Sequence, residues 1–337
     1  MPLQIAQCYN PNVSYSVTVE GFDSLTPAWS KLVIDCPACP VFFTPQWQET
    51  WWRHFGNGEP LLLAVRHEGV LAGVAPLMKT ERGISLLGSG NVCDYLDIVA
   101  RPGHEEAVCR ASFDFVQQMP WDKLDLFSLP SEAVARKHFL PLARHAGMSV
   151  REEIEDVCPQ RELPSSWEEY VSLLGRDARH EFKRKMRRLS SVPGVTQEVV
   201  TSPANLEHDM SDFLRLFLDS REAKVDFLTP GMEVFFRDLA RVTAENGWLK
   251  LFFLTVSGAR IASAIILDIG DTFYLYNSGY DKRFSNLSAG LLLKAQCIEA
   301  AIAAGKKRFD FLRGREPYKY DLGGIDQPVY RCEVSRG

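Results

Sequence analysis

Two stretches of this 337-residue sequence carry side chains whose types and spacing suit chemistry. The first is Phe309-Asp310-Phe311-Leu312-Arg313-Gly314-Arg315-Glu316-Pro317-Tyr318-Lys319-Tyr320. Phe309 to Leu312 alternates like a buried strand, so Arg313 emerges at its C-terminal end, where α/β sheets place ligands. Gly314 permits a turn there that a Cβ would hinder. Pro317 restarts an extended segment in which Tyr318, Tyr320 and Leu322 face one way and Lys319 and Asp321 the other. Tyr318 could protonate a leaving group, and Lys319 could hold a phosphate or a developing oxyanion. The plainer alternative is an aromatic packed under the sheet edge beside a solvated lysine. In the second stretch, Asp94 and Asp97 flank Tyr95-Leu96 just after Gly88-Ser89-Gly90-Asn91. A carboxylate there could orient an amine or accept its proton, or could simply cap the loop.

A third feature is charge. Residues 176–188 hold seven Lys/Arg and two acids, a net of +5, inside a chain whose formal charge is −5. Nothing breaks a helix there before Val192-Pro193-Gly194. Arg176, Arg179, Lys183 and Arg187 share one helical stripe, while Phe182, Met186 and Leu189 lie on another. Such a face suits a phosphate, or only water.

The elements that must position these groups occur twice in the same order. In the second half a strand over 195–200 precedes two helices, one with Leu206, Met210, Phe213 and Phe217 on a face and one with Met232, Phe235, Phe236 and Leu239. Strands over 248–256, 261–269 and 272–278 follow, joined by Ser257-Gly258 and Gly270-Asp271. Ser288-Ala289-Gly290 opens a helix that Gly305 closes, and a strand over 308–312 ends the series. The first half gives a strand over 15–20, helical segments around Trp29 and over 46–55, and a hairpin of 61–66 and 70–78 over Glu68-Gly69. Strand segments at 84–87 and 95–99, a helix with Val108, Ala111, Phe115 and Met119, and a strand over 123–129 complete it. Leu71 to Leu77 resembles Ile261 to Leu267, and Leu124 to Phe127 resembles Phe309 to Leu312. Trp47, Trp51 and Trp52 read as helix-packing aromatics.

Length suits two domains. No apolar run approaches the ~20 residues of a membrane span, and Met1 to Asn10 lacks the pattern of a signal peptide, so a cytoplasmic protein is expected. The acidic balance, with pI near 5.9, argues against a protein coated with nucleic acid. Eight irregularly spaced cysteines read as reduced thiols, and Cys36-Pro37-Ala38-Cys39 has no second pair to make a zinc site. Seven scattered histidines give no metal spacing, so no metal is expected. There is no G-x-x-x-x-G-K-[ST], H-E-x-x-H or G-x-S-x-G, which sets aside P-loop, zincin and α/β-hydrolase chemistry.

The repeated β-α-α-β-β-β-α-β order, with a small-residue helix start after the third meander strand, resembles the GNAT acyltransferase superfamily. Phe42 to Trp47, Cys93-Asp94-Tyr95-Leu96-Asp97, the basic helix 179–189 and the run 309–320 resemble its FemAB/CelD-like branch, whose members have two GNAT-like halves. The resemblance implies an α/β fold of mixed sheets. Residues 1–160 would be one GNAT-like domain carrying the acceptor groove, 161–192 a basic helical connector, and 193–337 the domain with the donor site. It implies acyl transfer, acetyl by default, from a CoA thioester to an amine or hydroxyl of a small molecule or sugar precursor, with no DNA partner and no membrane insertion. CelD-like members are associated with polysaccharide biosynthesis. FemAB-like relatives use aminoacyl-tRNA, which the acidic pI opposes and the basic helix favours. A non-catalytic subunit of a polysaccharide pathway is the third reading.

In the GNAT scheme the strand over 272–278 holds the pantetheine arm, and the next helix presents its N-terminus to pyrophosphate. Cofactor contacts would then come from Arg283, Asn286, Ser288, Ala289, Gly290, Arg313 and Gly314. Arg283 to Ser288 keeps the Arg of the family's Arg/Gln-x-x-Gly-x-Gly/Ala loop but replaces both glycines. The catalytic groups implied are Asp94, Tyr318 and Lys319, with Tyr95, Asp97, Arg179, Lys183 and Arg187 on the substrate. In the first half, Arg101-Pro102-Gly103-His104 keeps only a rough helix-start signal, so its donor site is expected to be lost.

Overall fold

The computed structural model describes residues 15–36, 39–81 and 83–336. Met1 to Asn10, with Cys8, and Pro37-Ala38 lie outside the described residues. The chain divides into two compact units, Met1–Val157 with Gln327–Gly337, and Cys158–Asp326.

The first unit runs β1 (Tyr15–Glu20), α1 (Phe22–Ile34), α2 (Pro45–Phe55), β2 (Glu59–His67), β3 (Val70–Thr80), β4 (Gly83–Leu86), β5 (Val99–Ala100), α3 (Glu105–Gln117), β6 (Lys123–Pro130), α4 (Leu140–His145) and β7 (Ser149–Val157). The second runs β8 (Gln160–Glu162), α5 (Trp167–Leu173), α6 (Arg176–Ser190), β9 (Val195–Val200), α7 (Leu206–Ser220), α8 (Ala223–Phe227), α9 (Pro230–Glu245), β10 (Leu249–Val256), β11 (Ala259–Ile269), β12 (Thr272–Tyr280), α10 (Ala289–Ala303), β13 (Arg308–Asp310) and α11 (Pro317–Asp321). The last strand, β14 (Pro328–Ser335), returns to the first sheet, whose order is β1-β2-β3-β4-β6-β14-β7 with β5 on β3. The second sheet is ordered β8-β13-β12-β11-β10-β9.

Local chemistry explains the boundaries. Thr44 and Thr229 accept the N–H of Trp47 and Met232 at the starts of α2 and α9, each with proline in the first turn, a strong start signal. α10 is buried on nearly every side, and its Leu292, Leu293 and Ile298 pack with Phe252, Phe273 and Phe309 in the second core.

The internal repeat extends to hydrogen-bond register. Glu68-Gly69 and Ser257-Gly258 all take positive φ, the conformation of a two-residue hairpin turn. After each turn the pairs run His67↔Val70 and Arg66↔Leu71, against Val256↔Ala259 and Thr255↔Arg260. Both ladders then shift, to Val65↔Gly73 and to Leu254↔Ala262. Leu71 therefore corresponds to Arg260 and Ala72 to Ile261. The sequence match of Leu71 with Ile261 is one residue out of register, a slip that would turn every side chain to the other face. Apolar strands alone cannot fix that choice; the turn does.

Three other expectations change. Residues 161–192 are not a separate connector, because β8, α5 and α6 belong to the second unit, and 327–337 belong to the first. Of the expected 95–99 strand only Val99 is in a strand, the two-residue β5 of Val99–Ala100. Residues 317–321 form a short helix rather than an extended segment, since Pro317 suits a first helical turn as well as it suits a strand end.

Candidate functional site

The second unit has an opening built into its sheet. β13 pairs in parallel with β12 only over Thr272–Tyr274, although β12 continues to Tyr280. β13 stops because the buried Asp310 carboxylate accepts the Leu312 N–H at 2.8 Å and Leu312 takes a left-handed φ of 58°. Gly314, at φ 108°, continues the turn in a region that favours glycine. The far part of β12 packs closely on α7. A Cβ on Gly279 would lie 2.4 Å from backbone atoms of Leu216 and Phe217.

The N-terminus of α10 follows β12. Ser288 precedes it at φ 55°, and its hydroxyl accepts Arg188 Nη2 from α6 at 3.4 Å. Arg188 Nε is buried there without a hydrogen-bond partner among the described residues. A helix N-terminus beside an unsatisfied guanidinium fits an anion, because both present donors and positive potential. Ala289 and Gly290 are buried at the same start. The space a Gly290 side chain would need is taken by the Tyr280 ring, 2.9 Å from the ideal Cβ position. Arg283 is committed elsewhere: it pairs with Asp281 at 2.7 Å and holds that carboxyl below its usual range. Residues 282–287 wind into 3-10 turns with Asn286 exposed. The guanidinium that bonds to the residue opening this helix is Arg188, while Arg283 is exposed beside Asp281.

Beside the opening lies a group of basic side chains. Lys224 donates to the backbone carbonyl of Ser278 in β12 and to Ser220 Oγ at 2.9 Å. Burial, then Lys294 and Arg221 nearby, bring its amine down to about 7. Lys294, 6% exposed, donates to the Gly290 carbonyl at 3.0 Å and lies 4.4 Å from the Tyr318 ring centroid. Burial lowers it to about 8. Burial and the Glu316 carboxylate push the Tyr318 hydroxyl up, so it holds its proton.

Lys319 is 2% exposed. Its ammonium donates to the carbonyls of Leu312, Arg313 and Gly314 at 2.9, 2.6 and 3.2 Å and pairs with Glu316 at 2.9 Å. It is neither the solvated lysine of the plainer reading nor free to meet a ligand. It fixes the 312–314 turn.

On α6, Phe182 and Leu189 are buried as the stripe implies. Arg176, Lys183 and Arg187 are exposed, and Arg179 donates to the Ser172 carbonyl at 3.0 Å. Arg184 and Lys185 are paired with Glu181.

The first unit departs from the second at the position of the opening. Register equates Leu86 with Leu275 and Val99 with Gly279, so the loop 87–98 stands where the second unit has only 276–278. Trp47 Nε1 donates to Cys93 Sγ at 3.4 Å and Trp51 Nε1 to Ser89 Oγ at 3.2 Å, which ties the loop to α2. Tyr95 is buried with its ring 5.9 Å from Phe42. Asp94 is half-buried. Asp97 is buried, and its carboxylate accepts the N–H of Ile98, Val134 and Ala135 at 2.8, 2.6 and 2.9 Å. Burial pushes this carboxyl up to about 7 against those three bonds, which favour its charged form. Asp97 is thus a cap and Tyr95 a packing residue, which corrects both as substrate contacts. Asp97→Ala leaves three buried donors unpaired and is expected to cost about 3 kcal/mol in urea unfolding, with Asp97→Asn costing less. An unchanged midpoint would remove the capping role. At the start of α3, Glu105 and Glu106 occupy the first turn, and their charge opposes an anion there.

Residues 176–320 match the family model of the acetyltransferase (GNAT) domain. That match lies within the second unit, which is thus similar to GNAT acetyltransferase domains. No curated protein sequence matches the chain. Among solved structures it is similar to FemX, at TM-score 0.65 and 11% identity over 94% of this chain and 96% of that one. It is also similar to the C-terminal domain of an Agrobacterium fabrum protein assigned as a lysylphosphatidylglycerol synthetase, at TM-score 0.59 and 11% identity over 94% and 93%. A tandem GNAT protein from the clavulanic acid biosynthesis pathway gives TM-score 0.50 and 12% identity over 96% and 99%. Identities this low speak for fold, and the fold is a GNAT tandem. No helix among the described residues is long and apolar enough to cross a membrane.

Sequence reasoning missed Lys224, Lys294 and Arg188 of the GNAT domain. Lys294 did leave a signal, a single cation inside the apolar run Leu291-Leu292-Leu293-Lys294-Ala295. Lys224 left none, because its position depends on how α8 folds over β12.

Proposed function

We propose that the GNAT domain moves an acyl group, acetyl in the simplest case, from a CoA-type thioester to an amine or hydroxyl of a small molecule or sugar precursor in the cytoplasm. The observation that carries this reading is the opening between β12 and β13, beside an α10 N-terminus where Arg188 Nε has no hydrogen-bond partner among the described residues. The donor's phosphates would be held by the first N–H groups of α10, Ser288 and Arg188. The acyl-CoA thioester would supply the activated acyl carbonyl, with the CoA thiol as the leaving group. The backbone N–H groups of Leu275 to Tyr280 that point away from β11 would orient and polarise that carbonyl. Tyr318, which keeps its proton, is placed to give it to the leaving group. Lys319 holds the turn that keeps the strands apart.

A second reading, transfer of an aminoacyl group from tRNA, is favoured by one feature. The glycine-free loop 283–288 and the Tyr280 ring against Gly290 leave little of the usual pyrophosphate cradle. Native mass spectrometry with CoA, acetyl-CoA, acyl-carrier protein and tRNA separates the two. Retained CoA is the expected result. Retention of tRNA alone would move the conclusion to the second reading, and retention of none would remove the donor site. Arg188→Gln should weaken CoA retention about tenfold, the value of one charge-assisted hydrogen bond, with little change in melting. Undiminished retention would take Arg188 out of the site.

A further inference from the structure

α6 carries more positive charge than its own acids neutralise. Arg176, Arg179, Lys183 and Arg187 follow one another at helical spacing over about 16 Å of helix axis. Among the described residues the ion pairs of this helix are those of Arg184 and Lys185 with Glu181, so the stripe keeps its charge. It borders an open groove of about 590 Å³ lined by Arg176, Asp177, Arg179, His180, Glu181 and Lys183. A second recess of about 270 Å³ shares Asp177 and Glu181 with that groove, and its apolar wall is made by Ala178, Phe182, Leu291 and Leu322. Leu291 lies in the first turn of α10. Groove and recess therefore lead along α6 to the helix start where Arg188 meets Ser288. Leu173, 53% exposed, ends α5 just before Arg176. The donor position itself is small. The 283–288 loop has no glycine, and the Tyr280 ring takes the space beside Gly290. The buried Nε of Arg188, the Ser288 hydroxyl and the first N–H groups of α10 are what remain. That set of donors matches one phosphate group better than a diphosphate.

We propose that α6 docks an acidic carrier protein, one that bears the acyl group as a thioester on a serine-linked phosphopantetheine arm beside a carboxylate-rich helix. The docking surface rests on the reading of this domain as an acyltransferase and names the form in which its donor arrives. Arg176, Arg179, Lys183 and Arg187 meet the partner's carboxylates, which steers and orients it. The apolar wall of the recess takes an alkyl side chain of the same helix. The single phosphate of the arm reaches Arg188 and the start of α10, and the arm continues along the unpaired part of β12. CoA brings the same arm to this place without the acidic helix. In the transfer the carbon–sulfur bond of the thioester breaks and a carbon–nitrogen or carbon–oxygen bond to the acceptor forms. The acceptor gives up a proton, and the thiol left on the arm gains one. A protein suits this face better than RNA does, because the Asp177 carboxylate lines both recesses and repels a phosphate backbone. The apolar wall likewise offers nothing to phosphates.

The test uses the whole chain and a fluorescently labelled bacterial acyl-carrier protein, acetylated on its arm, with binding read as anisotropy. Acetyl-CoA and bulk tRNA are titrated alongside. The acetylated carrier should bind, and Arg176→Gln/Lys183→Gln/Arg187→Gln should weaken it about tenfold, since each exposed ion pair is worth a few-fold at most. Binding should also weaken as salt is raised from about 50 to about 300 mM, because exposed pairs are screened. Acetyl-CoA should bind the triple variant within about twofold of the parent, and Arg188→Gln should weaken both donors. The replaced side chains are exposed, so melting should stay as in the parent. No binding of the acetylated carrier, or equal binding to parent and triple variant, overturns the docking surface. Stripe-dependent binding of tRNA with none of the carrier also overturns it, and assigns α6 to RNA. If acetyl-CoA is still retained in these cases, the acyltransferase reading stands without the carrier. Loss of both donors removes the donor site as well.

Discussion

Lys319→Met is expected to destabilise the protein by about 3–5 kcal/mol, because removing one partner from a buried, hydrogen-bonded charge pair strands the other. The ammonium is 2% exposed and serves the carbonyls of Leu312, Arg313 and Gly314 together with Glu316. Methionine fills the volume but leaves three acceptors and a carboxylate without that donor. The sequence suggests the opposite outcome, an intact fold with lost transfer, since it shows the lysine but not the three carbonyls around it. Urea unfolding of the variant decides. A loss below about 1 kcal/mol, the range of an exposed charge, would mean that the turn holds without Lys319.

Lys294 should behave in the reverse sense. Its amine titrates at about 8 in the folded chain against an ordinary 10.5, chiefly through burial. Below about pH 8 both folded and unfolded chains carry the proton, and the folded state bears the whole penalty. Above 10.5 neither does, and the penalty is gone. Stability therefore rises between these limits, by about 3 kcal/mol for a shift of this size. Lys224, brought down to about 7, acts in the same direction over a window that begins lower. Lys294→Met should accordingly be more stable than the parent at pH 7, with the gap narrowing as the pH is raised towards 10. Surface groups that titrate over the same range cancel in the difference between the two proteins. Urea unfolding at pH 7 and 9.5 measures it, and a gap that is absent or widens with pH would show that Lys294 is well solvated or well paired.

These two lysines show what the sequence could and could not reveal. The repeated element order was legible because helices and strands in both halves keep their apolar periods, and because Glu68-Gly69 and Ser257-Gly258 mark the same turn. The exact register was not, since any two buried strands match one another. The stripe on α6 was legible as a stripe. That Arg188, next to Arg187, reaches Ser288 across a hundred residues of chain depends on how α6 packs beside α10. Asp97 and Tyr95 looked like groove residues because a polar loop after glycines reads alike whether it binds a ligand or caps backbone N–H groups. Pro317 misled for a related reason, since proline ends a strand and begins a helix with the same φ. Tyr318 and Lys319 stand out in the sequence, but the carbonyls and the carboxylate around Lys319 do not.

The central claim is that the donor lies along the unpaired part of β12 and ends on α10. Hydrogen exchange with and without acetyl-CoA tests it most directly, because bound ligand protects the amides it covers. The account predicts protection concentrated in residues 275–280 and 288–291, lost from 288–291 in Arg188→Gln. Protection in the first unit over 99–106 instead, with none at 275–280, would contradict it.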